Sequence, residues 1–129
     1  YDGTVLAEAR YWGQGLSNIR QNGTIIWSTL TLHDRMKSNY QDNDDADLIN
    51  ILSAIQGPLM TILFVEQEGG KVKVSWRSVE GVDVSKLARE FGGGGHKAAA
   101  GADIEGNLQE IQNKVIICSE KYLKEIGLN

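Results

Sequence analysis

The feature of this sequence with the clearest chemical potential is a run of four glycines followed by a histidine, Gly92-Gly93-Gly94-Gly95-His96. Glycine adopts positive φ angles at little cost, so consecutive glycines can turn their N–H groups toward one concavity that binds an anion. An imidazole beside that concavity can donate a hydrogen bond or carry positive charge. We predict a phosphate or carboxylate site here. The alternative, a flexible linker, fits poorly with Phe91 and the alanines that flank the run.

A second candidate precedes the glycines, in the segment 71–78 with the sequence KVKVSWRS. Apolar and polar residues alternate there, which predicts a strand with one face toward the core. Ser75 and Arg77 fall on the other, polar face. A guanidinium at the end of a strand can hold a phosphate through two hydrogen bonds or stack on a base. A solvated arginine is the alternative, and the nearby glycine loop favours binding.

An acidic cluster comprises Asp42, Asp44, Asp45 and Asp47. It departs from the calcium-loop pattern, because Ala46 and Asp47 occupy positions that require a ligand and a glycine. We therefore expect Asp44 or Asp45 to cap the following helix. His96 has no companion ligand at metal spacing, and we predict no metal site in this chain.

The composition indicates one compact domain. The chain has 129 residues, 41% of them hydrophobic, which is enough to enclose a core. A net charge of −4 argues against tracking a long duplex on a basic surface, whereas a small phosphate ligand at one site is compatible with it. No apolar run approaches the roughly 20 residues that span a bilayer, so we expect no membrane role. The single cysteine, Cys118, favours a reducing compartment, and we expect the cytoplasm.

The periodicities predict an α/β or α+β domain, with a mixed β-sheet flanked by helices. The last helix carries Cys118 on its apolar stripe, where we expect a buried small residue without catalytic function. The predicted order is a helix over 5–19, a strand over 24–31, helices over 33–40 and 46–55, strands over 59–66 and 71–78 joined at Gly69-Gly70, a helix over 86–91 capped by Ser85, a helical turn over 96–101, a strand over 102–104 and an amphipathic helix from 108 to the end.

These residues resemble a known family. The segment from Gly92 to Gly101 is similar to the GGGGH-x-x-A-A-G signature of the DHH-associated C-terminal domain of DHH phosphoesterases. Residues 72–78 resemble that family's V-x-V-S-x-R-S strand, and 83–91 resemble the helix that leads into the glycines. The order and spacing agree from about Gly23 to the end. Residues 1–22 resemble the connector helix from the catalytic DHH domain, which leaves 23–129 as the substrate-binding domain.

The resemblance implies a division of labour. In the family, the N-terminal domain holds manganese through aspartates and histidines, including an Asp-His-His triplet, and two metal ions activate water. This chain has no such triplet, and His33-Asp34 does not satisfy the pattern. We therefore expect no catalytic residue and no cofactor in this chain, and we expect the chain to be inactive alone. Its substrate-binding residues would be Ser75, Arg77, Gly92, Gly93, Gly94, Gly95 and His96.

The version of the motif with histidine is closest to the oligoribonuclease and phosphoadenosine-phosphate phosphatase (NrnA-like) branch and to cyclic-dinucleotide phosphodiesterases. The ligand implied is a short RNA oligomer or a nucleoside bisphosphate. The partner that the resemblance implies is an N-terminal DHH catalytic domain in the full-length chain. The start at Tyr1 without a methionine leads us to expect a fragment or a processed chain. A homodimer is also compatible. The alternative is a non-enzymatic interaction or regulatory module, in which the glycine loop lies at an interface and the first helix docks through Trp12 and Leu16.

Overall fold

The computed structural model describes residues 2–128, and this part of the chain contains five helices and six strands. In chain order they are α1 (Thr4–Leu16), β1 (Arg20–Asn22), β2 (Ile25–Leu30), α2 (Leu32–Ser38), α3 (Leu48–Ser53), β3 (Met60–Gln67), β4 (Lys71–Ser78), α4 (Val84–Glu90), β5 (Gly94–His96), β6 (Ala99–Glu105) and α5 (Leu108–Glu125).

The six strands form one mixed sheet in the order β1-β2-β3-β4-β6-β5. Strands β2 and β3 are parallel, and every other neighbouring pair is antiparallel. The α/β architecture with a mixed sheet is thus confirmed. Strand β3 lies in the middle and is buried at seven of its eight positions, as its continuous apolar sequence predicts.

Helices cover both faces of the sheet. On one face, α4 and α5 enclose a core that contains Phe64, Trp76 and Val115. On the other face, α1 and α3 lie against β2 and β3, where Leu48 and Leu63 belong to a second buried cluster. The polar face of β4 is only half-buried beside this second cluster. The sheet therefore carries an open region on the face of α1 and α3, at the β4–β6–β5 end.

Helix α1 was predicted, but its apolar spacing does not mark its buried side. Tyr11 and Gly15 are its buried residues, whereas Val5 is 68% and Leu16 40% exposed. A methyl group on Gly15 would come within 2.3 Å of Leu48 Cδ2, so the helix packs closely through this glycine. Gly15 lowers the helix propensity of this segment, but its lack of a side chain allows α1 to pack closely against α3 and β2.

The helix starts differ from their predictions in detail. Asp83, and not Ser85, caps α4, since the Asp83 side chain accepts a hydrogen bond from the Ser85 N–H at 3.0 Å. Helix α3 begins after Asp47, which has a left-handed conformation and no capping side-chain bond. Asp45 nevertheless accepts a hydrogen bond from the N–H of Ile49 in the first turn. The short strand β1, which pairs with β2 at the edge of the sheet, was not predicted.

Candidate functional site

The first two glycines of the run terminate α4. Gly92 has a φ of +81°, its N–H donates to the carbonyl oxygen of Arg89, and the N–H of Gly93 donates to the carbonyl oxygen of Ala88 at 2.8 Å. This pair of bonds around a left-handed glycine is the Schellman arrangement of helix ends. The N–H groups of Gly92 and Gly93 are therefore engaged within the protein. An anion nest formed by all four glycines, as predicted, is wrong for these two.

Gly93 and Gly95 allow close contact between the β5 segment and β6. A methyl group on Gly93 would lie 2.1 Å from the carbonyl oxygen of Gly101, and one on Gly95 would lie 2.6 Å from the Cα of Ala100. Gly94 has open space, with nothing within 4 Å of such a methyl group. Side chains at Gly93 and Gly95 would thus separate the two strands.

The segment after the glycines is a β-hairpin, so the helical turn predicted over 96–101 is wrong. Strand β5 ends at His96 and β6 begins at Ala99, with Lys97 and Ala98 as the turn between them. The carbonyl oxygen of Ala98 accepts a hydrogen bond from the N–H of Ser78 at 3.0 Å. Pairing with β4 satisfies the backbone of this segment and outweighs the helix propensity of alanine. No helix therefore begins beside His96.

The sheet register places the predicted residues together. Ala99 of β6 pairs with Arg77 of β4 on one side and with His96 of β5 on the other. Residues paired across strands point to the same face, and two strand spacings separate Arg77 from His96 by about 10 Å. Ser75 lies in the next row of the same face. We call this surface the open shelf, and its residues are Ser75 and Arg77 of β4, Ala99 and Gly101 of β6, and Gly94 and His96 of β5.

The charge of Arg77 is not compensated by an acid. Its side chain is half-buried, and Nη2 donates to Oδ1 of Asn50 in α3 at 3.3 Å. Within residues 2–128 no carboxylate lies within 4.0 Å of this guanidinium, since the ion pair found there joins Arg35 and Glu68. Asn50 is a neutral partner that orients the guanidinium without neutralising it. Asn50 could not be predicted as a site residue from the sequence, because its proximity to Arg77 follows from the packing of α3 on the sheet.

The other residues considered from the sequence have structural surroundings. Asp44 accepts hydrogen bonds from the Tyr40 hydroxyl and from the N–H of Ala46. Burial, followed by the hydrogen bond to Asp44, raises the pKa of Tyr40 above its ordinary value. Cys118 is half-buried against the core, and burial raises the pKa of its thiol. In the described part of the chain, no three His, Cys, Asp or Glu side chains are placed to share a metal ion.

None of the helices among residues 2–128 has the length and apolar character that crossing a bilayer would require.

Comparison with known proteins identifies the domain. A family model described as the DHHA1 domain matches residues 22–120. The chain is 28% identical over 122 residues to the bifunctional oligoribonuclease and PAP phosphatase NrnA of Mycoplasma genitalium, a match that covers 93% of this chain and 37% of the relative. It is 32% identical over 87 residues to NrnA of Thermus thermophilus, which covers 67% of this chain and 26% of the relative.

A solved structure agrees with these relatives. The exopolyphosphatase-related protein from Bacteroides fragilis superposes with a TM-score of 0.76 at 27% identity, over 92% of this chain and 34% of that one. The chain thus spans about a quarter to two fifths of the length of these proteins. Because the family model covers more than half of the sequence, the chain belongs to the DHHA1 domain family and is distantly similar to NrnA and other DHH phosphoesterases.

Proposed function

We propose that this domain is the nucleotide-binding part of a phosphoesterase that hydrolyses short RNA oligomers or nucleoside bisphosphates, and that the open shelf binds the phosphate-bearing end of the ligand. The observation that carries the proposal is the row of Arg77, Ala99 and His96 across three strands. In this row the Arg77 guanidinium and the His96 imidazole point to the same face of the sheet, and only the methyl group of Ala99 lies between them. A phosphate and its sugar can therefore lie over Ala99, between the two longer side chains.

Arg77 is the main anion-binding group in this proposal. A guanidinium without a carboxylate partner keeps its full charge for a ligand, and its planar fork suits two hydrogen bonds to phosphate. Ser75, one row away on the same face, adds a hydroxyl that can donate to a second phosphate oxygen. His96 is exposed at the opposite side of the shelf, where its ring can donate to or stack on the ligand.

The glycines contribute in two different ways. Gly94 forms part of the shelf, and the absence of a side chain lets a ligand approach the backbone. Gly92 and Gly93 end α4, and Gly93 and Gly95 let the β5 segment lie close to β6. Of the four glycines, Gly94 would therefore contact the ligand, and the other three would support the shelf without such a contact.

The catalytic half would lie elsewhere in the complete protein. The relatives named above are an oligoribonuclease and PAP phosphatase, and this chain spans about a third of the Mycoplasma relative. We propose that a preceding domain supplies manganese and the water-activating residues, and that the complete enzyme acts in the cytoplasm. The domain alone then binds ligand without hydrolysing it.

Ligand titration tests the shelf. The domain is titrated with a diribonucleotide and with a nucleoside 3′,5′-bisphosphate, in the wild type and in Arg77→Ala and His96→Ala variants. Loss of a charge-assisted hydrogen bond corresponds to roughly a tenfold to hundredfold weaker affinity for Arg77→Ala. The control is Arg20→Ala on the edge strand β1, since Arg20 pairs with Trp27 on the other face. Equal affinity in the wild type and both shelf variants would sink the proposed site.

Turnover is tested separately. The purified domain is incubated with manganese and a generic phosphodiester, and we expect no hydrolysis. Hydrolysis that persists through purification and is lost in Arg77→Ala would mean that the chain carries its own catalytic centre. A hydrolysis that the variant retains would point to a contaminating enzyme, since Arg77 is the main anion-binding group of the proposed site.

A second candidate function is an interaction module, which the exposed apolar residues of α1 favour. Val5 and Leu16 are accessible, so this helix could dock on a partner. Trp12 is less suited to that role, because its Nε1 donates to the carbonyl oxygen of Ala46 within the domain. The coding sequence upstream of Tyr1 distinguishes the two functions. A catalytic Asp-His-His motif there supports the phosphoesterase, and its absence supports the module.

A further inference from the structure

A cavity of about 260 Å³ opens beside Arg77, at the end of the sheet where β3 begins and β4 ends. Its walls come from the loop between α3 and β3 and from both strands. The residues that bear on its chemistry are Gln56, Pro58, Leu59, Thr61, Arg77 and Val79. The cavity therefore shares Arg77 with the open shelf, and a ligand held by this guanidinium can extend into it.

Thr61 contributes a hydroxyl-bearing side chain to the cavity. The residue is 5% exposed, lines the cavity, and pairs with Arg77 across β3 and β4, so that both side chains point to the same face. Its hydroxyl makes no hydrogen bond to another residue within 2–128 and is not fully enclosed, so it is accessible from the cavity. A ligand in the cavity can therefore exchange a hydrogen bond with this hydroxyl, which can both donate and accept.

The rest of the lining fits a flat ring with polar edges. Pro58, Leu59 and Val79 provide apolar surface, and Gln56 provides an amide that can both donate and accept. The volume lies below the roughly 300 Å³ at which pockets for complete drug-sized ligands begin, so a ring system fits and a whole nucleotide does not. We propose that this cavity takes the nucleobase of the nucleotide whose phosphate Arg77 holds, which rests on the function proposed above.

The test compares a nucleoside 5′-monophosphate with ribose 5-phosphate, which has the same sugar and phosphate but no base. The wild type should bind the nucleotide at least about tenfold more tightly, the effect of one or two good hydrogen bonds with ring burial. Thr61→Val, which replaces the hydroxyl by a methyl group, should remove most of this ratio and leave the affinity for ribose phosphate unchanged. Gln56→Ala, at an exposed position, should reduce the ratio without affecting folding.

Thr29→Val is the matched control, since Thr29 is a strand threonine with 7% exposure whose hydroxyl faces α5, where it accepts from Gln112. It should leave the ratio unchanged. Equal wild-type affinity for the two ligands overturns the base pocket, as does a ratio that survives in both Thr61→Val and Gln56→Ala. If Arg77→Ala leaves the binding of both ligands unchanged, the proposed function itself fails. The two failures are therefore distinguishable.

Discussion

Adding one methyl group at Gly93 is expected to destabilise the domain, whereas the same change at Gly94 is not. A Cβ at Gly93 would lie 2.1 Å from the carbonyl oxygen of Gly101 and 2.7 Å from the Cα of Ala102, both backbone atoms. Real Cβ atoms essentially never approach closer than 3.0 Å. Strand β5 would thus have to move by about 1 Å relative to β6, and overpacking of this kind costs about 1–3 kcal/mol.

Thermal or urea unfolding of both variants measures the effect. For a domain of this size, 1 kcal/mol corresponds to roughly 3–5 °C in Tm, so Gly93→Ala should lower Tm by roughly 3–15 °C. Gly94→Ala should remain within about 0.5 kcal/mol of the wild type, because its methyl group meets nothing within 4 Å. A neutral Gly93→Ala, or an equal loss in the two variants, would refute the role assigned to close strand packing.

Three further predictions concern other contacts. Asn50→Asp places a carboxylate beside Arg77 and should weaken phosphate binding about tenfold in a titration, more than Asn50→Ala does; equal effects would show that neutrality of the partner is unimportant. The side-chain hydrogen bond from Ser85 lowers the pKa of Asp83. The ionised Asp83 carboxylate therefore stabilises the domain above the ordinary carboxyl pKa, and this stabilisation is lost as pH falls through the lowered value. Urea unfolding of Asp83→Ala should therefore show a deficit at neutral pH that shrinks in acid, and a deficit independent of pH would contradict this. Gly15→Ala should lose about 1–3 kcal/mol in the same assay, since its methyl group would meet Leu48 Cδ2 at 2.3 Å; a neutral result would mean that Leu48 repacks freely.

The central strands could be predicted because their patterns are local. The alternation over 71–78 established both the ends of β4 and its two faces, with Trp76 in the core and Arg77 on the other side, as observed. The turn at Gly69-Gly70 followed from the two glycines between apolar runs. In such segments each residue's environment is decided by neighbours two positions away, and the sequence records them directly.

The β5–β6 hairpin could not be predicted in the same way. Ala98 to Gly101 has no periodicity, and its strand conformation depends on pairing with β4, more than twenty residues earlier in the chain. Ala100 is small and buried opposite Trp76, which fills the core at that row. The link between Asn50 and Arg77 has the same origin, since α3 and β4 meet only in the folded domain.

The position of Ala99 between Arg77 and His96 has a consequence for how ligand choice can change among proteins with this sheet. The distance between the two functional side chains is a whole number of strand spacings, and backbone hydrogen bonds maintain it. Substitutions on the shelf can change its depth or charge, but widening it would require another strand. Differences in the preferred ligand should therefore reside in segments free to change length, such as the loop 54–59 and the turn at Lys97 and Ala98, where insertions leave the central spacing intact.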